Sequence, residues 1–389
     1  MKSYDLIIIG GGMVGLALAA SLRNSTLQIA IIEGFPSQTP PEQITQRVSA
    51  LNLASQTLLT KLGVWQELIK LRATPYAEIQ VWEKDSFAKI EFNSKSLGLP
   101  HLGYIIENHL IQRALWQEVQ KQKNAEILTA LPQRIDIGES NAIVSLDDNQ
   151  FISAKLVVGA DGANSWVRKQ TDIPLIFHDY GQHALVCNVE TIEPHRNIAR
   201  QIFTADSILA FLPLHQTNLC SIVWSLPPEQ AQSLLQCDET EFNKTLTAAF
   251  AHQLGSCKAV SVRKTLPLTA RYARNFGQPR IALIGDAAHT IHPMAGLGVN
   301  LGFQDAVCLA QEIEKKQNAF LDIGQYHSLR SYERHRKTEA IKMLAAMQGL
   351  KDLFSGDNSL KKLIRGIGLN AIDQMGIVKD QFIKQALGL

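Results

Sequence analysis

Apolar positions along the chain change period several times, and each change marks an element. Leu6, Ile7, Ile8 and Ile9 form a short unbroken apolar run, as expected of a strand buried on both faces of a parallel sheet. Gly10, Gly11 and Gly12 interrupt it, and the small and apolar residues from Met13 to about Leu22 predict a helix. A second apolar strand is predicted over 27–32, closed by Glu33. Apolar positions at helical spacing predict helices over 49–62 and 107–120. Alternating patterns predict strands at 79–82 and 90–92. They return from about 184 to 225, most clearly over 208–212 and 219–224. Residues 281–284 again read as a short buried strand entering a glycine turn, and from about Gly298 onward the pattern is mainly helical.

A β-rich middle flanked by α/β segments, without internal repeats or a low-complexity linker, predicts two interleaved domains rather than two in series. Length agrees, since 389 residues exceed what one hydrophobic core usually serves. Hydrophobic residues make up 46% and charged residues 19%, which excludes a disordered or collagen-like chain. A formal net charge of +2 supplies no field that would argue for nucleic acid. The cysteines (Cys187, Cys220, Cys237, Cys257, Cys308) are scattered, odd in number and never in a C-x-x-C. That argues against a disulfide framework or a zinc site and for reduced thiols in the cytosol. The N-terminal apolar run breaks at glycines without a cleavage site, and no stretch reaches the roughly 20 apolar residues of a spanning helix. A cytoplasmic protein is expected, soluble or peripheral on the inner face of the cytoplasmic membrane.

Gly10-x-Gly12-x-x-Gly15 lies directly after a strand and opens a helix, the context in which this pattern carries meaning. The first glycine permits a tight turn, the second lets a pyrophosphate approach the backbone, and the third lets the helix pack close to the sheet. Amide N–H groups near Met13 and Val14 would face the phosphates, helped by the helix dipole. Glu33 is placed to accept from both ribose hydroxyls and disfavours a 2′-phosphate, which argues against NADP in this pocket. The plainer alternative is an ordinary glycine turn beside a surface glutamate. The motif alone does not separate NAD from FAD. Two later stretches bear on that choice. One is Gly159-Ala-Asp161-Gly162-Ala-Asn-Ser-Trp-Val-Arg168, after a strand at 155–158. The other is Ala282-Leu-Ile-Gly285-Asp286-Ala-Ala-His289, followed by Pro293-Met-Ala-Gly296-Leu297-Gly298-Val299-Asn300. His289 and His292 stand i, i+3, but no third ligand is suggested nearby, and no metal is expected.

With these three stretches in this order, the chain resembles the flavoprotein aromatic monooxygenases related to p-hydroxybenzoate hydroxylase. The resemblance implies a Rossmann-like FAD-binding domain with a glutathione-reductase-type βαβ unit, formed by residues 1–72, 103–180 and 265–325. Interleaved with it would be a mostly antiparallel β-sheet substrate domain, residues 73–102 and 181–264, and then a C-terminal helical region, 326–389. Asp286, next to Gly285, would bond the O3′ hydroxyl of the ribityl chain. The turn carrying Pro293, Gly296, Leu297, Gly298, Val299 and Asn300 would bring N–H groups and a helix N-terminus to the N1/O2 edge of the isoalloxazine. Asp161 and Gly162 would lie near the pyrophosphate. Arg47 and Arg113 match positions whose guanidinium groups reach the diphosphate or its surroundings, with an exposed helix charge as the alternative for Arg113. Close relatives read Gly-Gln-Gly where this chain has Gly296-Leu297-Gly298. Backbone amides make that contact, so binding should survive while any side-chain role at Leu297 is in doubt. No second G-x-G-x-x-G is present, since Gly366-Ile367-Gly368 lacks the third glycine, so NADH or NADPH is expected as a transient reductant.

Within that family the chain is similar to the ubiquinone-biosynthesis hydroxylases from end to end. The similarity includes Gly10-Gly-Gly-Met-Val-Gly-Leu16, Arg47-Val-Ser-Ala50, Leu62-Gly-Val-Trp65 and Val81-Trp-Glu-Lys-Asp-Ser-Phe87. It continues through Leu209-Ala-Phe-Leu-Pro-Leu214, Cys220-Ser-Ile-Val-Trp-Ser-Leu226, Arg271-Tyr-Ala-Arg274, Met347-Gln-Gly349 and Asp352-Leu-Phe-Ser-Gly356. It implies a monooxygenase that hydroxylates a polyprenylphenol at C5 of a 2-octaprenylphenol-type substrate, using NAD(P)H, O2 and a flavin C4a-hydroperoxide. Another ring position of the same pathway stays open. A flavin reductase or dehydrogenase of a prenyl or quinone substrate is a second reading, and a non-catalytic flavin-bound assembly subunit a third. A flavin halogenase is disfavoured because W-x-W-x-I-P is absent.

No catalytic base declares itself. Tyr180, His183 and Tyr272 are candidate phenol partners, with packing the simpler role for each. Phe203, Phe211, Leu212 and Trp224 could line an apolar tunnel for a prenyl tail or form an ordinary sheet core. Near the C-terminus, Leu350, Leu353, Phe354, Leu360, Leu363, Ile364 and Ile367 mix with Lys351, Lys361, Lys362 and Arg365. Such a segment could rest on anionic lipid, pack on its own domain, or meet a second copy or a multiprotein ubiquinone-biosynthesis complex.

Overall fold

A computed structural model describes residues 1–36, 44–84, 89–290 and 298–354. The chain begins β1 (Lys2–Ile9), α1 (Met13–Ser21), β2 (Ile29–Ile32), β3 (Val48–Asn52), α2 (Leu53–Lys61) and α3 (Trp65–Leu71). It continues β4 (Thr74–Tyr76), β5 (Glu78–Glu83), β6 (Lys89–Asn93), β7 (Gly103–Glu107), α4 (Asn108–Gln120) and β8 (Ala125–Leu128). Next come β9 (Pro132–Ile137), β10 (Ala142–Leu146), β11 (Phe151–Gly159), α5 (Trp166–Gln170), β12 (Leu175–Thr191) and β13 (Ile198–Phe203). Then β14 (Ile208–Pro213), β15 (Leu219–Leu226), α6 (Pro228–Gln236), α7 (Glu239–Ala249), β16 (Cys257–Ala259) and β17 (Lys264–Ala273) follow. The remainder is β18 (Gly277–Gln278), β19 (Ile281–Leu283), β20 (His289–Thr290), α8 (Gly298–Asn318) and α9 (Tyr326–Phe354).

An eight-stranded sheet has the order β18-β19-β11-β1-β2-β8, with β10 and β9 added beside β11. From β19 to β8 its strands are parallel. Leu6, Ile7 and Ile8 have no exposed surface, as the unbroken apolar run requires. Helix α1 packs against α4 and α8 and is built from small residues, with Gly15, Ala17, Ala19 and Ala20 all buried.

A nine-stranded sheet runs β20-β17-β12-β15-β14-β13-β5-β6, with β16 beside β12. It is antiparallel except where β13 meets β5. Its alternation sorts two faces. Leu185, Cys187, Val189, Cys220, Ile222, Trp224 and Leu226 share a core with Phe242 and Leu246 of α7 and with Phe250. Their neighbours Ala184, Val186 and Val223 lie on the other face, with Tyr180, Leu268 and Ala270, and meet Leu344 of α9. Strand β12 spans the expected 180/181 division, and β17, from the segment assigned to the cofactor domain, pairs with β12.

One predicted boundary moves. Helical spacing suggests a helix over 49–62, but Ser49 to Asn52 belong to β3, paired antiparallel with β7 in a small β3-β7-β4 sheet. The helix starts at Leu53, where Asn52 Oδ1 accepts from Ser55 N–H at 3.0 Å. A capping residue with extended backbone ends the strand and starts the helix in one step. Apolar spacing in so short a window cannot reveal the partner strand that decides the matter. Among the described residues, no helix is long and apolar enough to cross a membrane.

Candidate functional site

Strand β1 enters the Gly10 turn with its backbone already paired to β2 and β11. Gly10 has φ 110°, and a Cβ there would stand 2.5 Å from the Ala160 carbonyl oxygen, so both conformation and contact require glycine. A Cβ on Gly15 would overlap the Gly10 carbonyl oxygen and come 3.2 Å from Ile8 Cγ2, which is how closely α1 packs on the strand. Around Gly12 there is open space. Helix α1 begins there with no side-chain cap and no acidic residue in its first turn. Its first N–H groups, around Met13 and Val14, are therefore available to an anion. Half-buried Glu33 accepts from Gly11 N–H at 2.8 Å and, through its other oxygen, from Phe35 N–H at 2.9 Å. Gln112 of α4 donates to the Gly11 carbonyl at 2.8 Å.

A second turn closes on the first. Strand β19 runs parallel to β11 and leads into Gly285, whose φ is 60°. A Cβ on Gly285 would lie 3.3 Å from the Val14 side chain, and one on Gly302 of α8 would lie 2.7 Å from it. Asp286 projects from this turn with exposed surface, while protein packs closely around its base. The thin solvation raises its carboxyl above the usual range, while His289, Arg47 and Arg271 oppose the rise. Below it, fully buried Asp305 accepts from Gly285 N–H at 2.9 Å and lies 2.7 Å from His289 Nε2 and 2.6 Å from Arg336 Nε. Burial pushes the Asp305 carboxyl up, but His289 and Arg336 together hold it below the usual range.

Helix α8 begins at Gly298, where an added Cβ would meet nothing among the described residues, and Val299 packs half-buried on the core. The Asn300 side chain is committed elsewhere. Its Oδ1 accepts from Asn52 N–H at 3.1 Å and Ser55 Oγ at 2.7 Å, and its Nδ2 donates to the Ala50 carbonyl at 2.8 Å. Pro293, Gly296 and Leu297, and with them His292, lie outside the described residues. His289 faces Asp305, and among the described residues no group of three or more His, Cys, Asp or Glu is arranged for a metal.

The other candidates take varied places. Arg47 is exposed on the way into β3 and acts on Asp286 through its charge. Asp161 lies against the Gly10 turn, but its Oδ2 caps α5, accepting from Trp166 N–H at 2.6 Å and Val167 N–H at 3.0 Å. Gly162, with φ 79°, borders open space. Arg113 lines a cavity of about 410 Å³ with Trp116, Gln117, Gln120, Ile127, Thr129 and Pro36. Tyr272 is buried against Phe276, its phenol pushed up to about 12 by burial, and its hydroxyl has no partner among the described residues. Tyr180 is buried beside His178, and His183 is half-buried within β12. Phe211 stacks on Phe250 with ring centroids 3.7 Å apart, and Trp224 belongs to the same core. Leu212 joins the core that includes Ala50 and Ile105, and Phe203 is buried near the end of β13. The side chains from Leu350 to Phe354, and all residues after 354, lie outside the described part.

Sequence reasoning missed Gln112, Asp305 and Arg336. Asp305 did leave a signal: a carboxylate among Leu301, Phe303, Ala306, Leu309 and Ile313, on the buried side of an amphipathic helix. Gln112 and Arg336 left none, because polar residues on half-exposed helices are ordinary.

Comparison with known proteins gives the family and the fold. A family described as "FAD binding domain" matches residues 3–346. The 3-demethoxyubiquinol 3-hydroxylase of Escherichia coli (strain K12) is 34% identical over 395 residues, covering 99% of this chain and 98% of that protein. The ubiquinone hydroxylase UbiL of Rhodospirillum rubrum is 33% identical over 393 residues, covering 100% of this chain and 90% of that protein. Among solved structures, p-nitrophenol 4-monooxygenase PnpA from Pseudomonas putida superposes with a TM-score of 0.81 at 19% identity. That superposition covers 100% of this chain and 99% of the other, and it speaks for the fold alone.

Proposed function

The chain belongs to the FAD-binding family of ubiquinone-biosynthesis hydroxylases, and from that premise we propose that it hydroxylates the ring of a polyprenylated phenol, at C5 of a 2-octaprenylphenol-type substrate. The observation that carries the site assignment is the close approach of Gly285 and Gly302 to Val14, where an added Cβ on either would crowd its side chain, which sets the Asp286 turn beside the open N-terminus of α1. One extended dinucleotide can then meet both. The first N–H groups of α1 would hold the diphosphate, with Gly12 leaving room for it and Arg47 adding charge at the rim. Glu33 would accept from the adenosine ribose, and Arg113 would stand near that end. Asp286 would accept from a ribityl hydroxyl, which fits a carboxylate that keeps exposed surface on this turn. Backbone N–H groups at Gly298, Val299 and Asn300 would favour negative charge at the near edge of the ring system.

Bound FAD, reduced by NADH or NADPH, supplies the electrons and the activation of O2 that place one oxygen atom on the ring. The protein's own task is to orient that ring and exclude water. The sheet face carrying Ala184, Val186 and Val223, which meets α9 and lies opposite the α7 core, offers an apolar wall for it. On this reading residues 1–72, 103–180 and 265–325 hold the cofactor, and 73–102 with 181–264 shape the substrate side. A second ring position has one observation in its favour, the similarity over nearly full length to a protein named as a 3-hydroxylase.

The deciding experiment gives the FAD-loaded protein NAD(P)H, ¹⁸O2 and either 2-octaprenylphenol or a demethoxyubiquinol, and locates the label by mass spectrometry. One labelled oxygen at C5 of the first substrate is expected. Label only in the second would move the reaction to the other position, and turnover without label would rule out oxygen insertion altogether.

A further inference from the structure

The buried group beneath the Asp286 turn links it to a helix that no cofactor motif includes. Arg336 on α9 is 2% exposed. Its guanidinium meets three acceptors, all on the first turns of α8: Asp305 Oδ1 from Nε at 2.6 Å, Gln304 Oε1 from Nη1 at 3.2 Å, and the Leu301 carbonyl from Nη2 at 3.2 Å. A planar fork satisfies three such acceptors at once, and an ammonium does not. Asp305 turns its other oxygen to Gly285 N–H, the amide directly before Asp286, and to His289, just beyond it. One helical turn earlier on α9, the Tyr332 hydroxyl donates to the Leu283 carbonyl at 2.6 Å, at the end of β19. Helix α9 therefore grips both arms of the turn.

The turn has little slack. A Cβ added to Gly285 or Gly302 would run into Val14, and the one on Gly302 would stand 3.3 Å from Gly285 Cα. A shift of Asp305 must move the backbone that carries Asp286. Stability alone is a poor account of such a group, because a buried ion pair often contributes no more than well-packed apolar residues would. Arg336 and Gln304 line a cavity of about 880 Å³ among α2, α8 and α9 whose lining does not include Gly285 or Asp286, so the link from Arg336 to the turn runs through Asp305.

We propose that Arg336 is a positioning residue for the cofactor: acting through Asp305, it sets the Gly285 turn and thereby the placement of the Asp286 carboxylate that FAD meets. The inference rests on the assignment of Asp286 to FAD, and the test separates the two. Arg336→Lys, Arg336→Met and Asp286→Asn are purified, and FAD is titrated into each folded apoprotein by the quenching of its fluorescence. Apoprotein unfolding temperatures and the visible spectrum of the saturated protein are recorded alongside. Arg336→Met is expected to weaken FAD binding by about ten- to a hundredfold, the scale on which supports behind a ligating group act. It should also alter the bound flavin spectrum, and Arg336→Lys should recover part of both effects. Unchanged affinity and spectrum in the folded Arg336 variants, with only a lower unfolding temperature, would overturn the inference. If Arg336→Met does not fold, Arg336→Lys decides by the same readings. Unchanged affinity in Asp286→Asn would instead overturn the assignment beneath it.

Discussion

Asp286 and Asp305 serve one turn and titrate in opposite directions, the first keeping exposed surface and the second fully buried. Asp286 keeps exposed surface, but the protein packed around it raises its carboxyl by desolvation. A carboxyl raised on folding contributes stability below its unfolded value near 3.8, and that contribution is lost as pH rises through the folded value. The ionised group thus weakens the free protein at neutral pH. Asp286→Asn is expected to raise the unfolding midpoint of the apoprotein at about pH 7 while weakening FAD binding, the exchange of stability for function seen at many sites. Asp305 is the reverse case. Its depressed carboxyl contributes stability above the unfolded value near 3.8, lost as pH falls through the folded value. Denaturant midpoints followed from neutral to acid pH should therefore show a flatter acid limb in Asp305→Asn. A lower midpoint for Asp286→Asn at neutral pH would refute the first statement, and an unchanged acid limb the second. Gly10, Gly12, Gly15 and Glu33 were legible in the sequence because their spacing is local. Gln112, Asp305 and Arg336 act across helices, and no local spacing encodes that.

At the scale of elements, the buried strands and most helices follow directly from apolar periodicity, β3 being the exception that its pairing with β7 decides. Periodicity says that a side chain is buried but not against what. Phe211 shows the difference. In sequence it suits a prenyl tunnel as well as a core, and in the structure it stacks on Phe250 beyond α7, with 1% of its surface exposed. Phe211→Ala is therefore expected to cost about 3–5 kcal/mol of unfolding free energy. KM for a prenylated phenol should change little in the folded fraction. Chemical denaturation with steady-state kinetics checks this, and a raised KM with intact stability would restore the tunnel.

For the whole molecule, the first and second turns lie far apart in the chain and close on one another beside Val14. A ligand spanning both should stiffen the protein more than one reaching only the first. At a hundredfold excess over its dissociation constant, FAD is expected to stabilise the fold by about 2.7 kcal/mol. ADP at the same concentration, able to occupy only the diphosphate end, should give a smaller rise in unfolding temperature. Equal rises for the two would argue that the turns do not share one ligand.

The βαβ unit, the order of the three glycine-bearing stretches, the β-rich middle and the family were all readable from residue order, since each depends on spacing within a few turns or strands. The meeting of Gly285 and Gly302 with Val14, the Asp305–Arg336 link and the choice of core over tunnel at Phe211 were not. They depend on which distant surfaces close upon one another, and that choice is made by the packing of whole sheets and helices.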